Sequence, residues 1–242
     1  MSEEAPSTIS FQTVALTREK QGDIQEEVAI YHKATNHAIK EILKKKLTTF
    51  NSSVDSLFDS TTREYVYLRN SVGPLSELTD DQLREMFSRR FSLQVIRDRI
   101  IVERNQAESD ESYLERCRKD FVIIYEEQYV NDIVKTARVE IGRHRNLART
   151  LRSIRDKAPY FKPGRIIFSK PIVQLSKDGK ALLLLTAVGN EIPLVFDKYT
   201  RNASIDILEA IVKRKIKYER VRLTWNREGY MNIDVRLVFV LA

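Results

Sequence analysis

One cysteine in 242 residues, Cys117, leaves no partner for an internal disulfide and no Cys pair for a structural zinc site. It reads as a small core residue. Seven glycines are present, none in a G-x-G or G-x-x-x-x-G-K-S/T arrangement, so nothing signals a backbone cradle for a nucleotide's phosphates. The three histidines, His32, His37 and His144, lack Cys or carboxylate companions at tetrahedral zinc spacing. No nucleophile-elbow sequence points to Ser-His-Asp or Cys-His chemistry. The longest apolar run, ALLLLTAV at 181–188, falls far short of the ~20 residues a membrane helix needs. MSEEAPSTIS is acidic and polar where a secretory signal would be basic and then apolar. The expectation is a cytoplasmic chain with no cofactor, no metal and no membrane partner.

Apolar residues make up 42%, enough for one large core or two ordinary ones. The formal charge of +7 conceals a segregation. Residues 1–134 hold 18 basic and 24 acidic side chains, and residues 135–242 hold 23 and 10. The later portion therefore carries a positive potential that would draw in a polyanion.

Ile24, Val28, Tyr31, Thr35, Ala38 and Ile42 recur at steps of four and three, one stripe on a long helix over 24–47. A weaker helix is expected at 54–70, and Thr79 with Gln82 forms a capping box for another at 80–104, with Phe87, Phe91 and Val95 on one face. From Asp110 to Lys157 the pattern is helical again, with Leu114, Cys117, Phe121 and Ile124 inward, and Gly142 and Gln128 predict two or three helices rather than one rod.

After Pro159 the punctuation changes. KPGRIIFSKPIVQLSKDGKALLLLTAVGNEIPLVF reads as an antiparallel meander with a turn at Asp178-Gly179. A short helix is expected at 203–214 with Ile205, Leu208, Ile211 and Val212 as its apolar face. A second hairpin then turns at Glu228-Gly229, and from Met231 to Leu241 every odd position is apolar. ISFQTVALT has no partner nearby in sequence and is expected to join the C-terminal sheet.

Two basic stretches stand out. In RHRNLARTLRSIRDK, residues 143–157, Arg145, Arg149 and Arg152 form a stripe offset from Leu147, Leu151 and Ile154, and Arg143 and Arg155 add to it. Guanidinium forks there suit phosphate oxygens while the leucines dock the helix on its neighbours. The ordinary alternative is a solvated amphipathic helix. In KRKIKYERVR, Lys213, Arg214, Lys215, Lys217, Arg220 and Arg222 stand against Glu219 alone. Tyr218, Trp225 and Tyr31 are candidates for base stacking, although Trp225 shares parity with Val221 and Leu223 and so also suits a core. Lys162, Arg165 and Lys170 add charge where helices give way to strands. Asp234 lies on a strand without further carboxylates to join it, which fits a salt-bridged aspartate better than a two-metal centre.

The order of these features resembles the N-terminal half of TnpB, the transposon-encoded RNA-guided nuclease, and of type V CRISPR effectors. The resemblance rests on a short first strand, YHKATNHAIKEIL with Tyr31 and Asn36, a helical insertion, KPGRIIFSKPIVQLSKDGKALLLL, ASIDILEAIVKRK and ERVRLTWNREGYMNIDVRLVF. It implies an α+β fold in which a helical bundle, the recognition lobe, is inserted into a small antiparallel β-barrel-like wedge domain. The expected divisions are 8–20 for the first strand, 21–157 for the helical lobe and 158–242 for the β-domain. It further implies that the Arg143–Lys157 helix and the Lys213–Arg222 segment hold guide-type RNA or an RNA–DNA hybrid, in a basic groove between lobe and β-domain. In the family a RuvC-like nuclease domain follows the last wedge strand, whereas this sequence stops at Ala242. The expected function is therefore binding of RNA, and of DNA as a second ligand, without catalysis. Two alternatives are half of a split RNA-guided endonuclease with a separate nuclease subunit, and an interaction protein that oligomerises through the Ile24–Ile42 seam.

Overall fold

The computed structural model describes residues 8–44, 93–99, 103–187, 189–226 and 228–238. In chain order they form β1 (Thr8–Gln12), α1 (Arg18–Leu43), α2 (Leu93–Arg99), α3 (Asp110–Thr150), α4 (Arg152–Arg155), β2 (Arg165–Phe168), β3 (Val173–Leu175), β4 (Ala181–Leu185), β5 (Glu191–Val195), α5 (Lys198–Asn202), α6 (Ile205–Val212), β6 (Lys217–Trp225) and β7 (Met231–Val238). The fold is mixed α+β with antiparallel sheets. Two compact units divide the chain: Met1–Val28 with Gly164–Ala242, and Ala29–Pro163. The first division falls inside α1.

In the β-containing unit, β1-β7-β6-β2 make a four-stranded sheet and β3-β4-β5 a three-stranded one. β1 pairs with β7 from Thr8↔Arg236 to Gln12↔Asn232, so the first strand does join the C-terminal sheet. On β7, Met231, Ile233, Val235 and Leu237 are buried and Asn232 and Arg236 exposed, as the alternation requires. The turns at Gly179 and Gly229 adopt φ 67° and 88°, where a side chain would be strained.

The sheets do not close into a barrel. On that side the end of β1 meets the other sheet at a single bridge, Thr13↔Phe196, with bonds from Asp197 N–H to Gln12 C=O at 2.7 Å and from Val14 N–H to Val195 C=O at 2.9 Å, and Gln12 N–H donates to Thr200 Oγ1 at 3.3 Å. The expected meander also starts one strand later. β2 pairs with β6, through Ile166↔Leu223 and Phe168↔Val221, and the Ser169–Ile172 turn carries the chain into the other sheet. Apolar alternation fixes which face a strand buries but leaves its neighbour open.

In the helical unit, α3 is one rod of 41 residues, not two or three helices. Ser109 caps it by accepting from Ser112 N–H, Asp110 and Glu111 favour its first turn, and it ends where Leu151 turns extended. Gly142 interrupts nothing: a helical glycine costs about 1 kcal/mol against alanine, too little to break a helix held by burial on one side. The buried side steps by four, through Cys117, Phe121, Tyr125 and Tyr129, which leaves Ile124 outside at 40% exposure.

Tyr31 on α1 is fully buried. Its hydroxyl lies 2.7 Å from Thr136 Oγ1, and its ring meets those of Tyr129 and Phe161 edge-on. Asn36 donates to the Phe161 carbonyl at 3.0 Å and accepts from the Phe161 N–H at 2.9 Å, holding the 160–163 segment against α1 as a strand neighbour would. The α1 stripe from Ile24 to Ala38 is buried within the chain, so it offers no open seam for oligomerisation. The expected helix at 54–70, Leu47, the Thr79–Gln82 box, Phe87 and Phe91 lie outside the described residues. Of the expected helix at 80–104, the described residues are 93–99, which form α2, and Glu103 and Arg104, which are not helical.

Candidate polyanion interface

On the helical unit the basic surface is the last turns of α3 and its sequel. Arg143, Arg145 and Arg149 are exposed on α3; the helix stops at Leu151, and exposed Arg152 and Arg155 belong to the short α4. The Arg145–Arg149–Arg152 stripe is thus not continuous. Nor do the leucines dock this end, since Leu147 is 40% and Leu151 47% exposed. Periodicity marked an amphipathic face correctly, but it carries no information on whether another element covers that face. Arg143, Arg145, Arg149 and Arg152 have no carboxylate partner among the described residues, while Arg155 donates to the Ala148 carbonyl at 3.5 Å. Lys162 is exposed in the segment that Asn36 holds.

On the β-containing unit the register lays out the solvent-side face of the four-stranded sheet row by row. Gln12, Asn232, Thr224 and Arg165 make one row, Ser10, Asp234, Arg222 and Ile167 the next, and Thr8, Arg236 and Arg220 the third. Four arginines thus share the face with one aspartate. Asp234 accepts from Ser10 Oγ at 2.6 Å and pairs with Arg222 at 2.7 Å, which makes it the salt-bridged strand aspartate expected from the sequence. Arg222 is therefore partly neutralised. Arg220 and Arg236 stand directly opposite each other, a like-charge pairing that disfavours the strands' association unless an anion lies across it. Glu219 reaches Arg236 at 3.8 Å.

The turn from α6 into β6 carries the remaining cations. Lys213 is paired with Glu209 at 2.7 Å, and that hydrogen bond, then the Lys213 charge, holds the Glu209 carboxyl below its ordinary pKa. Arg214, Lys215 and Lys217 are exposed and have no carboxylate partner among the described residues. The same is true of Lys170, whose ammonium lies over the Tyr218 ring, 4.5 Å from its centroid. Partial burial, and then the nearby Arg214 charge, lowers the pKa of Lys170.

The stacking candidates fare differently. Tyr31 is fully buried, as above, and has no ring face for a base. Tyr218 is 9% exposed and its hydroxyl accepts from Leu175 N–H at 3.1 Å. Parity with Arg220 and Arg222 puts Tyr218 on the solvent side, but a bulge between Tyr218 and Arg220 inserts one residue and turns the ring inward, opposite Leu237. Trp225 is half-buried on the Leu223 side and pairs with Met231. Two aromatics missed in the sequence are open instead: Tyr160 at 58%, its hydroxyl 2.8 Å from His32 Nε2, and Tyr199 at 85%. Their signal was adjacency to Lys157 and Lys162, and to Lys198 and Arg201.

A cleft of about 230 Å3 lies between the Asp178–Lys180 turn and α6, but the charges of Lys180 and Lys213 on its rim are paired with Asp178 and Glu209. Among the described residues no three His, Cys, Asp or Glu side chains cluster as metal ligands, and no helix is long and apolar enough to cross a membrane. The sequence matches no protein-family model and no curated protein.

Proposed function

We propose that this chain is a non-catalytic nucleic-acid-binding protein that holds structured guide-type RNA or an RNA–DNA hybrid by its phosphates. One observation carries the reading: ten of the cations singled out in the sequence, Arg143, Arg145, Arg149, Arg152, Arg155, Lys162, Lys170, Arg214, Lys215 and Lys217, have no carboxylate partner among the described residues. Some cations are neutralised within the chain, as in the pairs Arg116–Glu108 at 2.7 Å and Lys213–Glu209. Groups of uncompensated like charges repel each other, and a polyphosphate backbone relieves that repulsion while releasing counterions.

The resemblance to TnpB-type nucleases supports RNA or a hybrid over duplex DNA as the ligand. It also supports the finer architecture of a helical bundle inserted into a wedge-like β-domain. The experiment is a salt series, from 50 to 200 mM, of the full chain against structured RNA, RNA–DNA hybrid and duplex DNA of equal length. Sequencing of whatever nucleic acid co-purifies accompanies it. The expected result is tighter binding of RNA or hybrid, weakening steeply with salt. Salt-independent binding would remove the electrostatic basis. Cleavage by the isolated chain with magnesium would overturn the non-catalytic part.

A further inference from the structure

Phe161 is buried, its ring edge-on to that of Tyr31 at 5.8 Å, and Asn36 takes both its N–H and its carbonyl. The residues on either side of it, Tyr160 and Lys162, are exposed. This out-in-out alternation is that of a strand, in which residues i and i+2 share a side. Two residues of chain span at most about 7 Å, so an aromatic ring and an ammonium leave the helical unit close together. The bonds from Asn36 to the residue between them fix where both emerge.

The ring is itself held in place. The Tyr160 hydroxyl lies 2.8 Å from His32 Nε2, and the two rings meet at 78° with centroids 5.4 Å apart. A phenol can give or take that hydrogen bond, so the brace persists with either imidazole tautomer. Burial does not account for it, because Tyr160 is 58% exposed and fixing a side chain costs rotamer freedom. Tyr199 shows the unbraced alternative: it is 85% exposed, with no ring contact and no hydroxyl hydrogen bond among the described residues. A ring both open and fixed suits a flat partner, since little ordering is left to be done on binding. Lys162 has no carboxylate partner among the described residues, which leaves its ammonium to a phosphate beside that partner. An aromatic ring next to a cation is the combination by which single-stranded surfaces hold nucleotides, the ring taking the base and the cation the backbone.

We propose that Tyr160, braced by His32 and flanked by Lys162, is a stacking site for an unpaired nucleobase, through which the helical unit holds a single-stranded flank of a structured RNA. The proposal rests on the nucleic-acid reading and deepens it. Phosphate contacts alone accept any polyanion, whereas this site demands a base.

The test uses the full chain, the variants Tyr160→Leu, Tyr160→Phe, His32→Ala and Lys162→Gln, and Tyr199→Leu as a control. Each is titrated by anisotropy against two labelled RNA hairpins with the same stem, one carrying four unpaired adenosines at each end and the other four abasic nucleotides at each end. The two probes have equal charge and differ only in the bases of the flanks. Wild type should bind the base-bearing hairpin at least about 5-fold more tightly. Tyr160→Leu should erase that preference and leave the salt slope unchanged, Tyr160→Phe should keep most of it, and His32→Ala should keep part, the ring being present but unbraced. Lys162→Gln should weaken both probes alike and flatten the salt slope by about 0.7, one single-strand phosphate. Tyr199→Leu should match wild type. The preference is a ratio taken within each variant, so partial unfolding, which weakens both probes together, does not imitate the result.

RNA binding in which wild type shows no preference for the bases, or in which Tyr160→Leu retains it, sinks this site and leaves the general reading standing. A Tyr160→Leu variant that melts well below wild type with its preference intact would assign the ring a structural role and would likewise overturn the proposal. Failure of wild type to bind either hairpin overturns the general reading and the site together.

Discussion

Replacing Arg143, Arg145, Arg149 and Arg152 together by glutamine removes four exposed charges that have no carboxylate partner among the described residues. Glutamine is nearly as good a helix former as arginine, so α3 should persist. Each exposed substitution should move stability by no more than about 0.5 kcal/mol. The binding effect follows from counterion release, with a salt slope of about 0.7 per phosphate on single strands and 0.9 on duplex. Four lost contacts flatten the slope of log K against log salt by about 3 to 3.6. Between 50 and 200 mM that is about two decades of salt sensitivity. Anisotropy titrations of wild type and variant at both salt concentrations read it directly, with thermal denaturation as the control for folding. A variant that keeps the wild-type slope would refute the reasoning, since those side chains would then touch no phosphate. One that loses several kcal/mol of stability with binding intact would assign them a structural role instead.

Asp234→Asn should strengthen RNA binding several-fold and add about one to the salt slope, because it releases Arg222 from its 2.7 Å ion pair; the accompanying stability loss should be about 1 kcal/mol, measured by urea denaturation. Asn36→Ala removes the two bonds to the Phe161 backbone and a third, at 3.1 Å, to the His32 carbonyl, and should cost about 3 kcal/mol on the same assay, where the exposed Asn146→Ala should cost almost nothing. Hydrogen bonds from Ser176 Oγ and from the Lys180 N–H hold the Asp178 carboxyl below its ordinary pKa. Its contribution is therefore full above the unfolded value near 3.9 and fades as pH falls through that value towards the folded one. Asp178→Asn should accordingly lower stability at pH 7 and flatten the acid limb of the stability profile.

The strands of the C-terminal hairpin were legible because period-two alternation on β7 names its core face, and the isolated first strand had to find an edge somewhere in the same sheet. The partner of β2 was not legible, since Ile166 and Phe168 would bury equally well against either sheet. α3 was divided in expectation at Gly142 because local propensity was weighed without the burial of Val134, Ala137 and Ile141 that sustains the rod. At the candidate site the charge groups could be read directly. The exposure of Leu147 and Leu151 could not, because a stripe does not say what faces it. Arg214 was legible as a charge but not as the left-handed residue, φ 58°, that follows α6, because sequence rules place glycine at such a helix ending.

The extra residue at Glu219 keeps the two ends of β6 in phase with different surroundings. Were Glu219 to pair in plain alternation instead of bulging, it would stand opposite Leu237 and Tyr218 opposite Val238, setting a carboxylate against the core and a phenol in water. A one-codon deletion of Glu219 should by contrast be mild, since Tyr218 would then precede Arg220 in unbroken alternation, still opposite Leu237, with the cationic turn in place.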